Sequence, residues 1–171
     1  MKDTNNPAFL VNTNRDSAFI LIQGKATFAN ANTFKQFIDK SLEKNIRHYI
    51  IDFESCSGMD STFLGIIAWL GLKIKDSTED TNLIVRNFNK RNKELFHNLG
   101  LQNFIKTEDS VVNYNTALKN NTHTLTALEE AERCKAIDIL DAHKSLVKAS
   151  KENVSLFKDL ISLLENKLYS K

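Results

Sequence analysis

Between Asp52 and Thr62 the chain sets two carboxylates, a thiol and an adjacent pair of hydroxyls close together: Asp52, Cys56, Asp60, Ser61 and Thr62. A hydroxyl beside a carboxylate can accept a transferred group, and the carboxylate then positions it or repels an incoming anion. The same Asp-Ser pair is also an ordinary helix N-cap, because either side chain accepts hydrogen bonds from first-turn amides and the helix dipole favours negative charge there. Asp52 and Asp60 superficially resemble paired catalytic carboxylates, but Asp52 is embedded in an apolar strand and the intervening turn sets no geometry. The four histidines (His48, His97, His123, His143) are scattered, and Cys56 and Cys134 form no CxxC or Cys/His cluster. Two free thiols in a cytoplasmic protein are the expectation. With no legible nucleophile–base pair, metal cluster or phosphate-cradling glycine loop, the sequence reads as that of a non-enzyme without cofactor or metal.

The elements that must position Ser61 can be read from patterning. Ala8 to Val11 and Ser17 to Gln23 are expected as a hairpin around Asn14-Arg15-Asp16, with Gly24 ending the second strand. Phe34, Phe37, Ile38 and Leu42 fall at helical spacing, in a helix capped by Asn30 or Asn32 and ending near Asn45. His48 to Phe53 follows as a strand whose Tyr-Ile-Ile centre lacks polar alternation, as expected of a strand buried on both faces. A strand, a helix and another strand imply a crossover and a parallel pair. The helix from Thr62 to about Lys75 presents Phe63, Ile66, Ile67, Leu70 and Ile74. Gly65 and Gly71 within it each cost about 1 kcal/mol relative to Ala, so they point to close packing on another element or a partner. Leu83 to Val85 is the next strand, Lys90 to Leu99 a helix ended by Gly100, and Leu101 to Ile105 a last strand or extended edge.

The second half differs in character. Thr107 to Thr124 is rich in Asn and Thr and reads as a linker, with a helical turn around Val111 to Leu118. Leu125 to Tyr169 has neither Gly nor Pro. Leu140, Val147, Val154, Ile161 and Leu168 recur every seven residues, and Ala136, His143, Ser150, Phe157 and Leu164 fill the complementary seam. Because the register runs through without a phase shift, one unbroken helix is favoured over a hairpin bent at Ser150-Lys151-Glu152-Asn153. About 40 residues of helix span roughly 60 Å, too long to hide a stripe on the first domain. Pairing with a second copy as a coiled coil and packing on its own domain are both open, and His143 is expected to be a partly exposed helix residue.

The net charge of +2, without basic runs interleaved with aromatics, argues against nucleic acid. The N-terminus lacks a signal-peptide core, and no apolar run approaches the roughly 20 residues of a membrane span.

Taken in order, several stretches resemble a STAS domain, the fold of bacterial anti-sigma-factor antagonists. They are a strand ending in Asp52-Phe53, a variable turn, Met59-Asp60-Ser61-Thr62 opening an apolar helix, Leu64-Gly65 within it, and a Leu-Ile-Val strand with a helix ending Leu99-Gly100-Leu101 before Phe104. The resemblance covers residues 8 to 106. It implies a mixed α/β sheet with packed helices over residues 1–108, leaving a polar linker over 109–124 and a helical extension over 125–171. It further implies that Ser61 is the phosphorylation site, with Thr62 as the alternative, and that Asp60, Ser61, Thr62, Phe63 and Leu64 form the partner-binding surface. The implied partners are an anti-sigma factor that is also a histidine-kinase-like serine kinase, and a serine/threonine phosphatase that resets the switch. The chain departs from the family pattern in its extension and at Phe63, where Gly is usual; a ring there is expected to pack under the turn, with display to the partner as the alternative. The competing function is a constitutive interaction or scaffold subunit, dimerised by the C-terminal helix.

Overall fold

In the computed structural model, residues 8–109 and 124–169 are described. Strands β1 (Phe9–Thr13) and β2 (Ser17–Ile22) form the expected antiparallel hairpin. A short β3 (Gly24–Ala26) and helix α1 (Ala31–Glu43) lead to β4 (His48–Asp52), β5 (Cys56–Met59) and α2 (Ser61–Lys75). Then come β6 (Asn82–Arg86), α3 (Lys90–Asn98), a 3-10 turn (Leu101–Asn103), β7 (Lys106–Glu108) and β8 (Thr126–Ala127). Two helices close the chain, α4 (Ala136–Ala149) and α5 (Asn153–Tyr169).

Among the described residues the main sheet runs β7-β6-β4-β2-β1-β8, parallel from β7 to β2 and antiparallel across β2, β1 and β8. Its inner face carries Ala18, Ile20, Ile22, Tyr49, Ile51, Leu83 and Val85, all buried beneath the helices. Phe19, Ile50 and Ile84 alternate with them and are only half-buried. The expectation that β4 is buried on both faces is therefore corrected: helices cover one face, and the unbroken Tyr-Ile-Ile run carries an inward–outward alternation in geometry that it lacks in polarity. On the outer face the Asp52 carboxylate accepts from Arg86 Nε at 2.9 Å and from Asn87 Nδ2 at 3.0 and 3.1 Å. Asp52 thus serves this ion pair at the ends of β4 and β6 and is not a partner of Asp60.

Three further local expectations change. Gly24 does not end the pairing; Gly24–Ala26 pairs in parallel with Cys56–Met59, so the supposed polar turn after Phe53 contains a strand. Asn30 stands before α1 but its Oδ1 accepts from Thr27 N at 2.9 Å, while Asn32 Nδ2 donates to Glu132 O at 2.7 Å, so neither side chain caps the helix. Leu101 to Ile105 is no strand. Gly100 adopts φ +73° at the end of α3, the chain winds through the 3-10 turn, and extended pairing resumes only at Lys106. A Cβ on Gly71 would lie 2.7 Å from the Ile105 side chain and 2.8 Å from the Phe104 ring, so this glycine lets α2 settle against that segment. The helical turn expected at Val111 to Leu118 lies outside the described residues.

The unbroken C-terminal helix does not form. Ser150 is extended (φ −148°, ψ 134°) and separates α4 from α5, which pack as a hairpin. Asn153, completely buried, explains the break: its Nδ2 donates to Leu99 O at 3.0 Å and to Leu146 O at 2.8 Å. Leu99 O at the end of α3 thereby acquires a donor, Leu146 O gains a second beside Ser150 N at 3.2 Å, and the bend is fixed to the end of α3. Lys144 Nζ and Glu165 Oε1, 2.7 Å apart, link the two arms.

Candidate functional site

Ser61 is the first residue of α2, and Asp60 before it is in extended conformation, the geometry of an N-cap. Asp60 Oδ1 accepts from Phe63 N at 2.9 Å. Its Oδ2 accepts from Phe28 N at 2.8 Å, and Asp60 N donates to Ala26 O at 3.2 Å. One carboxylate therefore caps the helix and ties its start to the β3–α1 connection. This holds the Ser61 hydroxyl in a fixed place at the electropositive end of α2.

The neighbouring residues divide sharply. Asp60 and Ser61 are partly accessible, whereas Thr62 is buried. Phe63 is 0% exposed, with its ring centroid 5.0 Å from Phe34, 6.0 Å from Phe9 and 6.5 Å from Phe53. Leu64 is likewise in the core. Phe63 thus packs under the turn, its ring rolled by the first turn of α2 into a pocket built from β1, α1 and the end of β4. The expectation that Phe63 and Leu64 belong to the partner-binding surface is corrected, since both are buried.

The residue that does meet Ser61 comes from α4. Ser61 Oγ lies 2.9 Å from His143 Nε2, and His143 Nδ1 lies 2.7 Å from Ile139 O. A carbonyl only accepts, so Nδ1 carries the proton; in the neutral ring Nε2 is then the acceptor and the Ser61 hydroxyl donates. His143 is 1% exposed, and Phe157 of α5 packs edge-on against it at 4.9 Å. The expected partly exposed histidine is thus a buried one. The pair is a hydroxyl–imidazole arrangement that neither residue's sequence surroundings announced. A polar member of the heptad seam was its one signal.

Gly65, one turn along α2, makes this contact possible. A Cβ there would sit 2.8 Å from Ala142 Cβ and closer still to the Ala142 backbone, so α4 crosses α2 with almost no side chain between them. Beyond the crossing, Lys35, Ile66 and Trp69 face Asp138, Asp141, Ala142, Lys144, Ser145 and Lys148 across a narrow cleft; neither Ser61 nor His143 lines it.

Cys134 enters the same neighbourhood, its N donating to Phe28 O at 3.4 Å. Burial, with the Asp138 and Asp60 charges adding to it, pushes the Cys134 thiol up to about 11. Burial likewise raises the Cys56 thiol. Both cysteines are free, and neither is a ready nucleophile. Among the described residues there is no group of three or more His, Cys, Asp or Glu able to hold a metal ion, and no described helix is long and apolar enough to cross a membrane.

A family model described as "STAS domain" matches residues 9–113, more than half of the chain. Among solved structures, the anti-sigma factor antagonist SpoIIAA in its unphosphorylated form is similar at 17% identity and a TM-score of 0.53, over 66% of this chain and 96% of that one. A putative anti-sigma factor antagonist from Thermotoga maritima is similar at 18% identity and a TM-score of 0.55, over 66% and 92% respectively. An anti-sigma factor antagonist from Mycobacterium paratuberculosis is similar at 16% identity and 0.54, over 70% and 99%. At these identities the likeness is one of fold.

Proposed function

The chain belongs to the STAS-domain family, and from that premise we propose that it is a bacterial, cytoplasmic regulatory module of the anti-sigma-factor-antagonist type. It binds an anti-sigma factor that is also a serine kinase, and phosphorylation at Ser61 switches the binding off. The observation that carries this reading is the placement of Ser61: a partly exposed serine at the capped start of α2, next to Asp60, at the position that the family resemblance implies for the switch. In the transfer, Ser61 Oγ takes the γ-phosphoryl group of ATP, its proton passes to a base on the kinase, and ADP leaves. A serine/threonine phosphatase returns the hydroxyl by hydrolysis. Thr62 is the poorer acceptor because it is buried.

The physics of the position supports a switch. A phosphate adds about −1.5 to −2 charges, which helix-start amides and the dipole accommodate without unfolding the domain. A partner packed against that spot meets a new hydrated dianion beside Asp60. A loss of about 3 kcal/mol of binding free energy lowers affinity more than a hundredfold. The module acts as substrate and ligand, not catalyst: the Ser61–His143 pair has its imidazole buried, and the nearby cleft does not reach it.

The test compares wild type, Ser61→Ala and Ser61→Asp. Wild type incubated with ATP and a lysate of the source organism gains a phosphate mapping to Ser61, Ser61→Ala traps the partner, and Ser61→Asp releases it. Equal capture by the Ala and Asp forms overturns the reading. One observation favours a second reading, a constitutive scaffold subunit: the hydroxyl is already engaged by the chain's own His143. Leu156 and Leu163, 62% and 65% exposed on the outer side of α5, leave an apolar strip for pairing of two copies. A dimer by light scattering, with no phosphate uptake, supports that alternative.

A further inference from the structure

We propose that α4 is a built-in occupant of the partner-docking surface of α2, and that the α4–α5 hairpin must leave before Ser61 can be bound or phosphorylated. The inference rests on the reading of Ser61 as the switch residue and adds what controls access to it. Three observations on different residues converge. His143 Nε2 is 2.9 Å from Ser61 Oγ, a separation that leaves no room for a phosphoryl group between them. Phosphorylation of Ser61 must therefore break this hydrogen bond, and either the side chain turns outward or α4 gives way. Gly65 has no Cβ, and the nearest atoms that one would meet all belong to Ala142. Gly65, itself part of the pattern shared with the family, here leaves the space that the backbone of α4 fills. Third, the family match ends at residue 113, before the hairpin begins. The part of the fold shared with the family does not include the segment that covers its own switch.

Release must break the Asn153 Nδ2–Leu99 O hydrogen bond at the bend, and the rest of the attachment is uneven. Leu140, Ala142, His143 and Leu146 of α4 are buried, but α5 buries only Asn153 and Leu164 and displays Val154, Leu156 and Leu163. The segment before α4 is held separately: Leu128 N donates to Phe9 O at 3.0 Å and Ala131 N to Thr33 Oγ1 at 2.9 Å. The hairpin can accordingly swing about Lys135 while these hydrogen bonds stay in place. Three species then compete for one hydroxyl: the imidazole of His143, the partner, and the phosphoryl group. Where α4 gives way, phosphorylation keeps the hairpin off as well as the partner.

The experiment uses the full chain and hydrogen exchange read by mass spectrometry over Ala136–Ala149, with His48–Asp52 as the internal reference. Gly65→Ala is the releasing variant: its Cβ meets Ala142, while alanine favours α2 itself. Leu146→Ala is the second, weakening the contact without a clash. We expect α4 to exchange at least tenfold faster in both, with β4 unchanged, and Ser61→Asp to act likewise. Phosphate uptake at Ser61 from ATP and lysate should rise by a similar factor in the two released variants. Unchanged α4 exchange, or α4 and β4 accelerating together, overturns the proposal by making the hairpin an integral part of the core. Equal phosphate uptake by wild type and released forms also overturns it, since Ser61 would then be open already. If α4 exchanges freely and no form takes phosphate, it is the assignment of Ser61 that has failed, and the exchange result separates the two failures.

Discussion

Phe63→Ala tests the most consequential packing choice in the site. The ring is completely buried and lies within 6.5 Å, centroid to centroid, of Phe9, Phe34 and Phe53. Truncating a buried phenylalanine costs about 3–5 kcal/mol through lost transfer free energy and the cavity left behind. Three neighbouring rings too rigid to close the gap place this site in the upper half of that range. Alanine returns roughly 0.5 kcal/mol of helix propensity, leaving a net loss of about 3.5–4.5 kcal/mol. Against a domain stability of about 5–15 kcal/mol this is a large fraction. Urea unfolding followed by circular dichroism measures it: with a slope near 2 kcal/mol per molar, the midpoint should fall by roughly 2 M at unchanged slope. A fall smaller than about 0.5 M would refute the reasoning, because a ring displayed to a partner loses little on truncation.

Other perturbations have equally definite outcomes. Asp60→Ala removes one acceptor from both Phe63 N and Phe28 N; a loss of about 1–2 kcal/mol is expected, visible as a lowered melting temperature. Asn153→Ala takes the buried donor from Leu99 O and one of the two donors from Leu146 O, which keeps Ser150 N. About 1–3 kcal/mol is lost, and hydrogen exchange should show it in α5 before β4. The chain's single tryptophan, Trp69, lines the cleft against α4, so its emission should shift to longer wavelength in Gly65→Ala; an unshifted spectrum would mean that the helix stays docked. Cys134, with its thiol raised to about 11 from an ordinary 9.0, holds less thiolate at every pH below that value. Iodoacetamide should modify it roughly a hundredfold more slowly at pH 8 than a free thiol, the rate climbing about tenfold per pH unit up to pH 10. Reaction at the ordinary rate would show that the buried environment is not there.

The joint at Asp60-Ser61 was readable because its signals are local: an apolar run, a capping carboxylate, and an apolar helix beginning at once. The hairpin of β1 and β2 and the parallel pairing of β2 with β4 were legible for the same reason. What escaped depends on residues distant in sequence. His143 is 82 positions from Ser61, and a seven-residue register records which positions are apolar without recording whether the chain reverses. The reversal at Ser150 is fixed by Asn153 reaching back to Leu99 O, a contact with no periodic signature. That Phe63 packs inward was the favoured reading of its bulk, but the rings that receive it, Phe9, Phe34 and Phe53, come from three separate elements and could not be named. The pairing of Gly24–Ala26 with Cys56–Met59 was missed because neither stretch has the alternation that marks a strand.

The short connection between the hydrogen-bonded segment up to Cys134 and the buried face of α4 has a quantitative consequence. A helix tethered so closely confronts its own docking surface at an effective concentration of about millimolar or above. A free partner present at about one micromolar must therefore bind α2 on the order of a thousandfold more tightly than α4 does, simply to occupy half the molecules. The hairpin sets a threshold for response: weak or scarce competitors are screened out by tether length, and flexible residues added between Cys134 and Ala136, where α4 begins, would lower the bar.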